Sequence, residues 1–291
     1  NVLLLECNGP KPKTDFRMAA LANFSRAPTV PWEPPVTFRK TRFKALRPLL
    51  LAGVAIVALS GCASNRGSAP SPDYSGLSAS QSQASLGELA ARYKANPRDK
   101  NVVIHYAAAL RAVGQPKQAI AVLEVGIDLH PGDADISVAY AKALTADGRF
   151  DQSLTVLDNV IRPDVPDWNA LLVKGATMDQ LGRNGEARQL YTQALTIAPS
   201  EASIEANLGL SYAMTNELTT AEHHLRRAVQ MRGASSQIRQ NLALVVGLQG
   251  RFDECRALYA AELPPDQVNN NMAYVRALLT QQNRWDMIAK S

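Results

Sequence analysis

The chain has 291 residues, about two ordinary domains' worth, and 46% of them are hydrophobic, 20% charged and 6% aromatic. A chain of this composition can bury a sizeable core, which argues against a wholly disordered protein. Abundant Ala and Leu, together with few aromatic residues, favour helices. The formal net charge is +5, but nine of the 31 basic residues and only three of the 26 acidic residues precede residue 62. The rest is nearly neutral, which argues against binding to a nucleic-acid backbone.

Residues 1–35 alternate short apolar runs with Pro-rich stretches and show no sustained period. We interpret them as a doubtful upstream extension, translated or added by an over-long gene model, and not as a domain.

Residues 36–61 have the features of an export signal. A basic cluster precedes an uncharged apolar run, 49–59, and the small residues Ser60 and Gly61 follow. The eleven residues of the run are too few to span a bilayer as a helix, which takes about 20. The positive charge is therefore explained by membrane topology and not by ligand binding. The basic residues are Arg39, Lys40, Arg42, Lys44 and Arg47.

The sequence Leu59-Ser60-Gly61-Cys62, directly behind the apolar run, resembles the bacterial lipobox. The resemblance implies cleavage before Cys62, a diacylglycerol on its thiol and an acyl chain such as palmitate on its amine. Two or more acyl chains anchor a protein stably to a membrane. Ala63 stands where an Asp would resemble the inner-membrane retention signal, which implies an anchor on the periplasmic face of the outer membrane. The alternative is a chance cysteine after an ordinary signal peptide.

Residues 62–83 hold the acylated cysteine and a segment rich in Ser, Pro, Gly and Gln, which predicts a flexible linker. A chain of this length and composition typically spans roughly 25 Å.

The rest of the chain repeats every 34 residues. Glycine, or asparagine once, recurs at this spacing, and these are the residues that best adopt the positive φ needed to close one helix and turn into the next. We expect five equivalent corners. They are Gly114, Gly148, Gly182, Asn216 and Gly250.

Four other columns of one residue class accompany each corner. Small residues lie seven positions before and five positions after each corner residue, where they let two antiparallel helices approach closely. Large residues lie four positions before and nine positions after it, where they fill the crevice of the next repeat. The small residues five positions after the corners are Ala119, Ser153, Ala187, Ala221 and Cys255. The large residues nine positions after them are Leu123, Leu157, Tyr191, Leu225 and Tyr259.

Prolines mark the ends of second helices, at Pro97, Pro131 and Pro199. This spacing and pattern resemble the tetratricopeptide repeat (TPR). Val165 and Gly233 replace the expected proline after the second and fourth repeats, so those junctions depart from the pattern.

The predicted fold is all-α, a right-handed TPR superhelix of five helix-turn-helix repeats with capping helices, over residues 84–290. Residues 86–95 fit the second helix of an incomplete unit, and 267–281 fit one more first helix. Such half-repeats cover the apolar ends of a stack.

No catalytic constellation is present in the sequence, and we expect neither an enzyme nor a metal site nor a cofactor beyond the covalent lipid on Cys62. His223 and His224 are adjacent, so they do not form an i, i+4 metal pair. Cys255 falls in a small-residue column and is expected to be packed and unreactive. Three cysteines, Cys7 included, cannot form a disulfide framework.

Function is then expected on the concave face, built from first helices. Two asparagines at equivalent positions could form a ladder of amides that pairs with an extended peptide backbone, with apolar neighbours for its side chains. The alternatives are that these asparagines serve helix packing and that the apolar stripe is core. The predicted groove residues are Arg111, Lys142, Leu172, Val173, Asn207, Leu210, Met214, Asn241, Leu244 and Leu248.

Three stretches narrow the resemblance: 207–213 (NLGLSYA), 241–252 (NLALVVGLQGRF), and 263–265 (LPP) followed by 271–276 (NMAYVR). They resemble the TadD family, the TPR lipoproteins of the tight-adherence (Flp, type IVb) pilus assembly system. The resemblance covers about residues 49–285, including the lipobox.

The TadD resemblance implies a pilotin-like accessory factor whose partners are the pilus secretin or other Tad components. Two other functions stay open: a lipoprotein scaffold for outer-membrane-protein insertion, and an activator of a peptidoglycan synthase.

Overall fold

The 34-residue pattern folds into paired helices. A computed structural model describes residues 79–162 and 164–288, and within these ranges there are 12 helices and no strand. The predicted signal peptide, Cys62 and residues 62–78 of the linker lie outside the described residues. The helices are α1 (Ala79–Ala95), α2 (Lys100–Ala112), α3 (Pro116–Leu129), α4 (Ala134–Ala146), α5 (Phe150–Val160), α6 (Trp168–Gln180), α7 (Asn184–Ile197), α8 (Ala202–Met214), α9 (Leu218–Gln230), α10 (Ser236–Leu248), α11 (Phe252–Ala260) and α12 (Pro265–Ile288).

Helices α2 to α11 form five hairpins, each of a first helix (α2, α4, α6, α8 or α10) and the second helix that follows it. Each second helix packs against the next first helix, and each first helix also contacts the first helix of the next hairpin. Helix α1 packs against the first hairpin and α12 against the last. The predicted all-α class, with five TPR-type superhelical repeats between capping helices, is confirmed.

The five corners are equivalent bends. Each has a positive φ, from 65° at Asn216 to 82° at Gly250. The residue after each corner donates its N–H to the carbonyl four positions before the corner, as in Gln115 to Leu110 at 2.9 Å, and the five such distances run from 2.9 to 3.3 Å. This bond satisfies a carbonyl that the end of the first helix leaves without an intrahelical partner.

The predicted columns form the contact between the two helices of each hairpin. All five small residues after the corners are fully buried, and so are the five large residues of the column ending at Tyr259. Gly175, in the small column of α6, is packed so closely that a Cβ there would lie 2.5 Å from Cε1 of Tyr191. Small residues therefore let the helices touch.

A capping column that the sequence analysis missed also repeats every 34 residues. The side chains of Asp99, Asp133, Asp167 and Ser235 accept hydrogen bonds from backbone N–H groups in the first turn of their helices. Glu201 occupies the equivalent position and makes no such bond. Asp and Ser before an apolar run are recognised N-cap signals, so the sequence contained this information.

The capping helices are longer than predicted. Helix α1 begins at Ala79 and not at residue 86, so it includes the last five residues of the predicted linker. Helix α12 runs to Ile288, beyond the predicted end at residue 281. Once Leu89 is buried against the first hairpin, the Ala, Ser and Gln residues before it can continue the helix at little cost.

The junctions that depart from the proline pattern also differ in structure. Residues 161–167 form the longest connection between described helices, and Val165 within it is exposed. After the fourth repeat, Gly233 turns the chain with a φ of 82°.

Two glycine-to-alanine substitutions test the close approach of the helices. Gly175→Ala should destabilise the protein by about 1–3 kcal/mol, because the new methyl group must displace the Tyr191 ring. Gly185→Ala is the matched control, since a Cβ there meets no atom within 4 Å, and it should stabilise the protein by about 0.5–1 kcal/mol. Urea unfolding followed by circular dichroism measures both, and equal effects would contradict the tight contact.

Candidate protein-binding surface

The ten predicted groove residues all lie on first helices, from α2 to α10. Because consecutive first helices contact one another, and no comparable contact joins consecutive second helices among the described residues, the first helices form the inner side of the stack. We refer to this side as the first-helix surface.

Six of the ten predicted residues are at most 5% exposed, which corrects the expectation that all ten line an open groove. Four are half-buried and remain accessible on the first-helix surface. The buried residues are Lys142, Leu172, Val173, Asn207, Asn241 and Leu244, and the half-buried ones are Arg111, Leu210, Met214 and Leu248.

The buried apolar members belong to the hydrophobic core. Leu172 lies in the same cluster as Tyr191, Val173 in a cluster with Leu157, and Leu244 in the cluster of the last two hairpins. A first helix is covered by its own second helix, by the preceding hairpin and by the following one. It is therefore buried around most of its circumference, and stepping along one face by helical turns does not isolate a solvent-facing stripe.

The two predicted ladder asparagines differ in their bonding. Asn207 Nδ2 donates to the Ser203 carbonyl at 2.8 Å, within its own helix. Asn241 Oδ1 accepts from Gln237 Nε2 at 3.1 Å, and Asn241 Nδ2 has no hydrogen-bond partner in the described part of the chain. The two side chains therefore do not form a row of equivalent open amides, although the equivalence of their positions holds.

The predicted basic start of the groove is also partly buried. Lys142 is 1% exposed, and its Nζ donates to Asn169 Oδ1 at 3.0 Å. This bond joins α4 to α6, so Lys142 contributes to the junction between the second and third hairpins. Arg111 is half-buried and retains access to solvent.

A polar bridge that the sequence analysis missed links consecutive first helices at two junctions. Thr145 and Thr177 lie 2.9 Å apart through their hydroxyl oxygens, and Ser211 donates to Asp179 at 2.8 Å. Both pairs are 32 residues apart and buried. The sequence does indicate these bridges, because a polar residue, Thr145 or Asp179, lies three positions before the corner glycine in a helix that is otherwise largely apolar.

Asp179 accepts two further hydrogen bonds, from Asn184 Nδ2 at 2.7 Å and from the Tyr191 hydroxyl at 2.8 Å. Asp179 is 4% exposed. Burial raises the pKa of its carboxyl group to about 6, against the lowering effect of its three donors and of Arg188.

On the same junction, Arg188 of α7 reaches across to α8. Its guanidinium donates to the Ser211 carbonyl at 3.0 Å and to Glu217 at 2.9 Å, and it lies 4.0 Å from the ring centroid of Tyr212. Tyr212 also stacks on His224 of α9, with the ring centroids 5.3 Å apart. A cation over an aromatic face is favourable, so these contacts add to the junction of the third and fourth hairpins.

Ion pairs join the fourth hairpin to the fifth. Glu222 of α9 accepts from Arg251 at 2.7 Å and from Gln249 at 2.8 Å, and it also pairs with Arg226. Partial burial opposes ionisation of Glu222, but these donors lower its pKa to about 2.

The described residues contain no group of three or more His, Cys, Asp and Glu side chains placed to hold a metal ion. Cys255 is fully buried, as its column predicts, and burial raises its pKa to about 11, so the reactive thiolate is suppressed. Over the described ranges, none of the helices combines the length and the apolar character needed to cross a membrane.

Helical hairpins at a 34-residue spacing, with left-handed corners and small residues between the paired helices, are the features of the TPR fold. Residues 110–174 match the family model described as tetratricopeptide repeat.

Solved structures share this fold. The chain is similar to TTC0263, a thermophilic TPR protein in Thermus thermophilus, with 21% identity, a TM-score of 0.55, and coverage of 61% of this chain and 99% of that one. It is similar to PilW, described as a widely conserved type IV pilus biogenesis factor, with 14% identity, a TM-score of 0.51, and coverage of 66% and 90%. It is also similar to the APC/C hetero-tetramer Cut9-Hcn1, with 13% identity, a TM-score of 0.53, and coverage of 72% and 40%. At these identities the likeness shows the fold alone.

A curated relative is Protein O-mannosyl-transferase F38B6.6 of Caenorhabditis elegans, 26% identical over 92 residues. The match covers 32% of this chain and 13% of that protein, so it concerns a short segment of the relative.

Two leucine substitutions test the assignment of the first helices to the core. Leu244→Ala should lower the free energy of unfolding by about 2–5 kcal/mol, because Leu244 is 1% exposed and its removal leaves a cavity. Leu210→Ala, at the equivalent position of α8 but half-buried, should cost about 1 kcal/mol. If urea denaturation shows no change in the free energy of unfolding for Leu244→Ala, the residue is not part of the core and lines an open groove instead.

Proposed function

We propose that this chain is a non-catalytic TPR scaffold, anchored by lipid at Cys62 to the periplasmic face of the outer membrane, that assists assembly of an Flp/Tad pilus machine. The observation that carries the scaffold function is the uninterrupted stack of five equivalent hairpins, which offers a continuous surface of first helices to another protein. Its partners would be the pilus secretin or other Tad components, without nucleic acid.

The pilus assignment has two supports. One is the resemblance of 207–213 and 241–252 to TadD-family lipoproteins, together with the lipobox that ends at Cys62. The other is the shared fold of PilW, which is itself described as a pilus biogenesis factor.

The accessible part of the first-helix surface suggests how a partner would bind. Leu210 and Met214 of α8 and Leu248 of α10 are half-buried, so their exposed portions can take apolar side chains of a partner. Arg111 provides a cation near the other end of the stack. Recognition would therefore combine a small apolar patch with polar contacts, as in many protein interfaces.

Partner capture tests the scaffold. The full chain should co-purify with the secretin of its own pilus system, and a Met214→Glu, Leu248→Glu double variant should lose at least tenfold in affinity, because two carboxylates would enter an apolar contact. Cells carrying this variant should lose surface pili. Val125→Glu is the control, since Val125 is 44% exposed on second helix α3 and its change should leave binding intact.

If the double variant folds and binds the secretin with the affinity of the wild type, the binding site does not include Met214 and Leu248. Deletion of the protein that leaves pili normal, while depleting porins or altering cell-wall synthesis, would contradict the pilus function and favour the insertion scaffold or the synthase activator.

Membrane fractionation tests the anchor. Cys62→Ser should release the protein from the membrane fraction, because the thiol that carries the diacylglycerol is lost. Cys255→Ser, at a buried cysteine within the hairpins, should leave the protein membrane-bound. Unchanged membrane association of the Cys62 variant would remove the lipoprotein assignment.

A further inference from the structure

The junction between the third and fourth hairpins contains a carboxyl group that is almost entirely buried. The carboxylate of Asp179, on α6, is 4% exposed and accepts hydrogen bonds from Asn184 and Tyr191 of α7 and from Ser211 of α8. We call these four residues the Asp179 cluster. It is built from three helices and joins two hairpins.

Among the residues that the structure describes, no cation forms an ion pair with this carboxylate. Arg188 of α7 acts on it electrostatically, but its guanidinium donates to the carbonyl and, at 3.4 Å, to the hydroxyl oxygen of Ser211, and also to Thr215 and Glu217. From the other side, the groups of α4 and α5 that reach the end of α6 are the hydroxyls of Thr145 and Ser153, which lie against Thr177.

The remaining cations of these elements bond elsewhere on α6. Lys142 of α4 donates to Asn169 near the start of the helix, and Lys174 of α6 pairs with Asp158 of α5. The three donors of the Asp179 cluster therefore make the direct hydrogen bonds to the carboxylate, and Arg188 reaches it through the Ser211 hydroxyl. A buried anion whose direct donors are neutral is costly.

The preceding junction shows the same bridge without a charge. Thr145 and Thr177 occupy the positions equivalent to Asp179 and Ser211, with the same separation of 32 residues. The molecule thus contains a titratable bridge at one junction and a matched neutral bridge at the neighbouring one.

We propose that the Asp179 cluster makes the junction of the third and fourth hairpins responsive to pH, tightening it when Asp179 takes up a proton on mild acidification. The protonated carboxyl removes the buried charge, and its O–H can still donate within a cluster whose hydroxyls both donate and accept. The relative placement of α6 and α8, and with it the middle of the first-helix surface, would then depend on pH. This inference does not depend on the identity of any partner.

The direction of the effect follows from linkage. Burial raises the pKa of Asp179 from 3.8 to about 6 in the folded chain, so the folded state binds more protons than the unfolded state between these values. Stability from this group therefore falls as pH rises through that window and is greatest below pH 4. A difference of about two pKa units corresponds to about a 100-fold change in the folded-to-unfolded ratio.

The experiment compares full-length wild-type protein with Asp179→Asn between pH 4 and pH 7.5. Asn keeps the shape and cannot ionise, so the wild type relative to this variant should gain up to about 100-fold in its folded-to-unfolded ratio on acidification. Other carboxylates, such as Glu222, titrate equally in both proteins, so their contributions cancel in the difference between the two stabilities. Asp128→Asn, at an exposed aspartate, is the control and should retain the wild-type pH profile.

Hydrogen exchange locates the effect. Relative to Asp179→Asn at each pH, amides at the corner around Asn216 and at the start of α7 should gain protection in wild type on acidification, and amides around Gly148 should not. Ser211→Ala, which keeps Asp179 but removes one donor to its anion, should shift the transition to higher pH, and it serves as the test if Asp179→Asn does not fold. Parallel pH profiles of wild type and Asp179→Asn, or equal changes at both junctions, would overturn the proposal.

Discussion

The rest of the structure depends on how closely the two helices of each hairpin approach. In the third hairpin, the backbone of Gly175 leaves no room for a methyl group beside the Tyr191 ring, and in the fifth a Cβ on Gly247 would lie 2.7 Å from Cys255 Sγ. Such contact needs a small side chain on one helix, a complementary one on the other, and a corner with positive φ that aligns the two. All five hairpins meet these conditions, so they are built alike and stack on one another.

A stack of this kind is held together junction by junction, because the main contacts of each hairpin within the described residues are with its neighbours. Apolar packing is common to all four junctions between hairpins, but the polar groups that bridge them differ. A change in solution conditions can therefore act on one junction and leave another unaffected, which gives different parts of the first-helix surface different stabilities. The bridges are Lys100 to Asp133, Thr145 to Thr177, Asp179 to Ser211 and Glu222 to Arg251, in chain order.

This arrangement limits where a partner can bind. The first helices are mostly interior, so the surface they offer consists of the partly exposed side chains left between packed neighbours, such as Leu210, Met214 and Leu248. A partner on this surface would therefore contact few residues of each first helix, while most of the helix maintains the stack. The anchor predicted at Cys62 and the linker that follows would determine where that surface is presented.

The sequence by itself determined the repeat length, the five corners, the small and large columns, the capping half-repeats and the burial of Cys255, because each depends on spacing along the chain and on local backbone preference. The N-cap column from Asp99 to Ser235 is also present in the sequence, since Asp and Ser before an apolar run favour capping. Only the tertiary structure decided which first-helix side chains are covered, as for Leu172 and Lys142, since coverage comes from hairpins that are distant in sequence. The same reason applies to the Asp179 cluster, whose burial and shifted pKa arise where three helices meet.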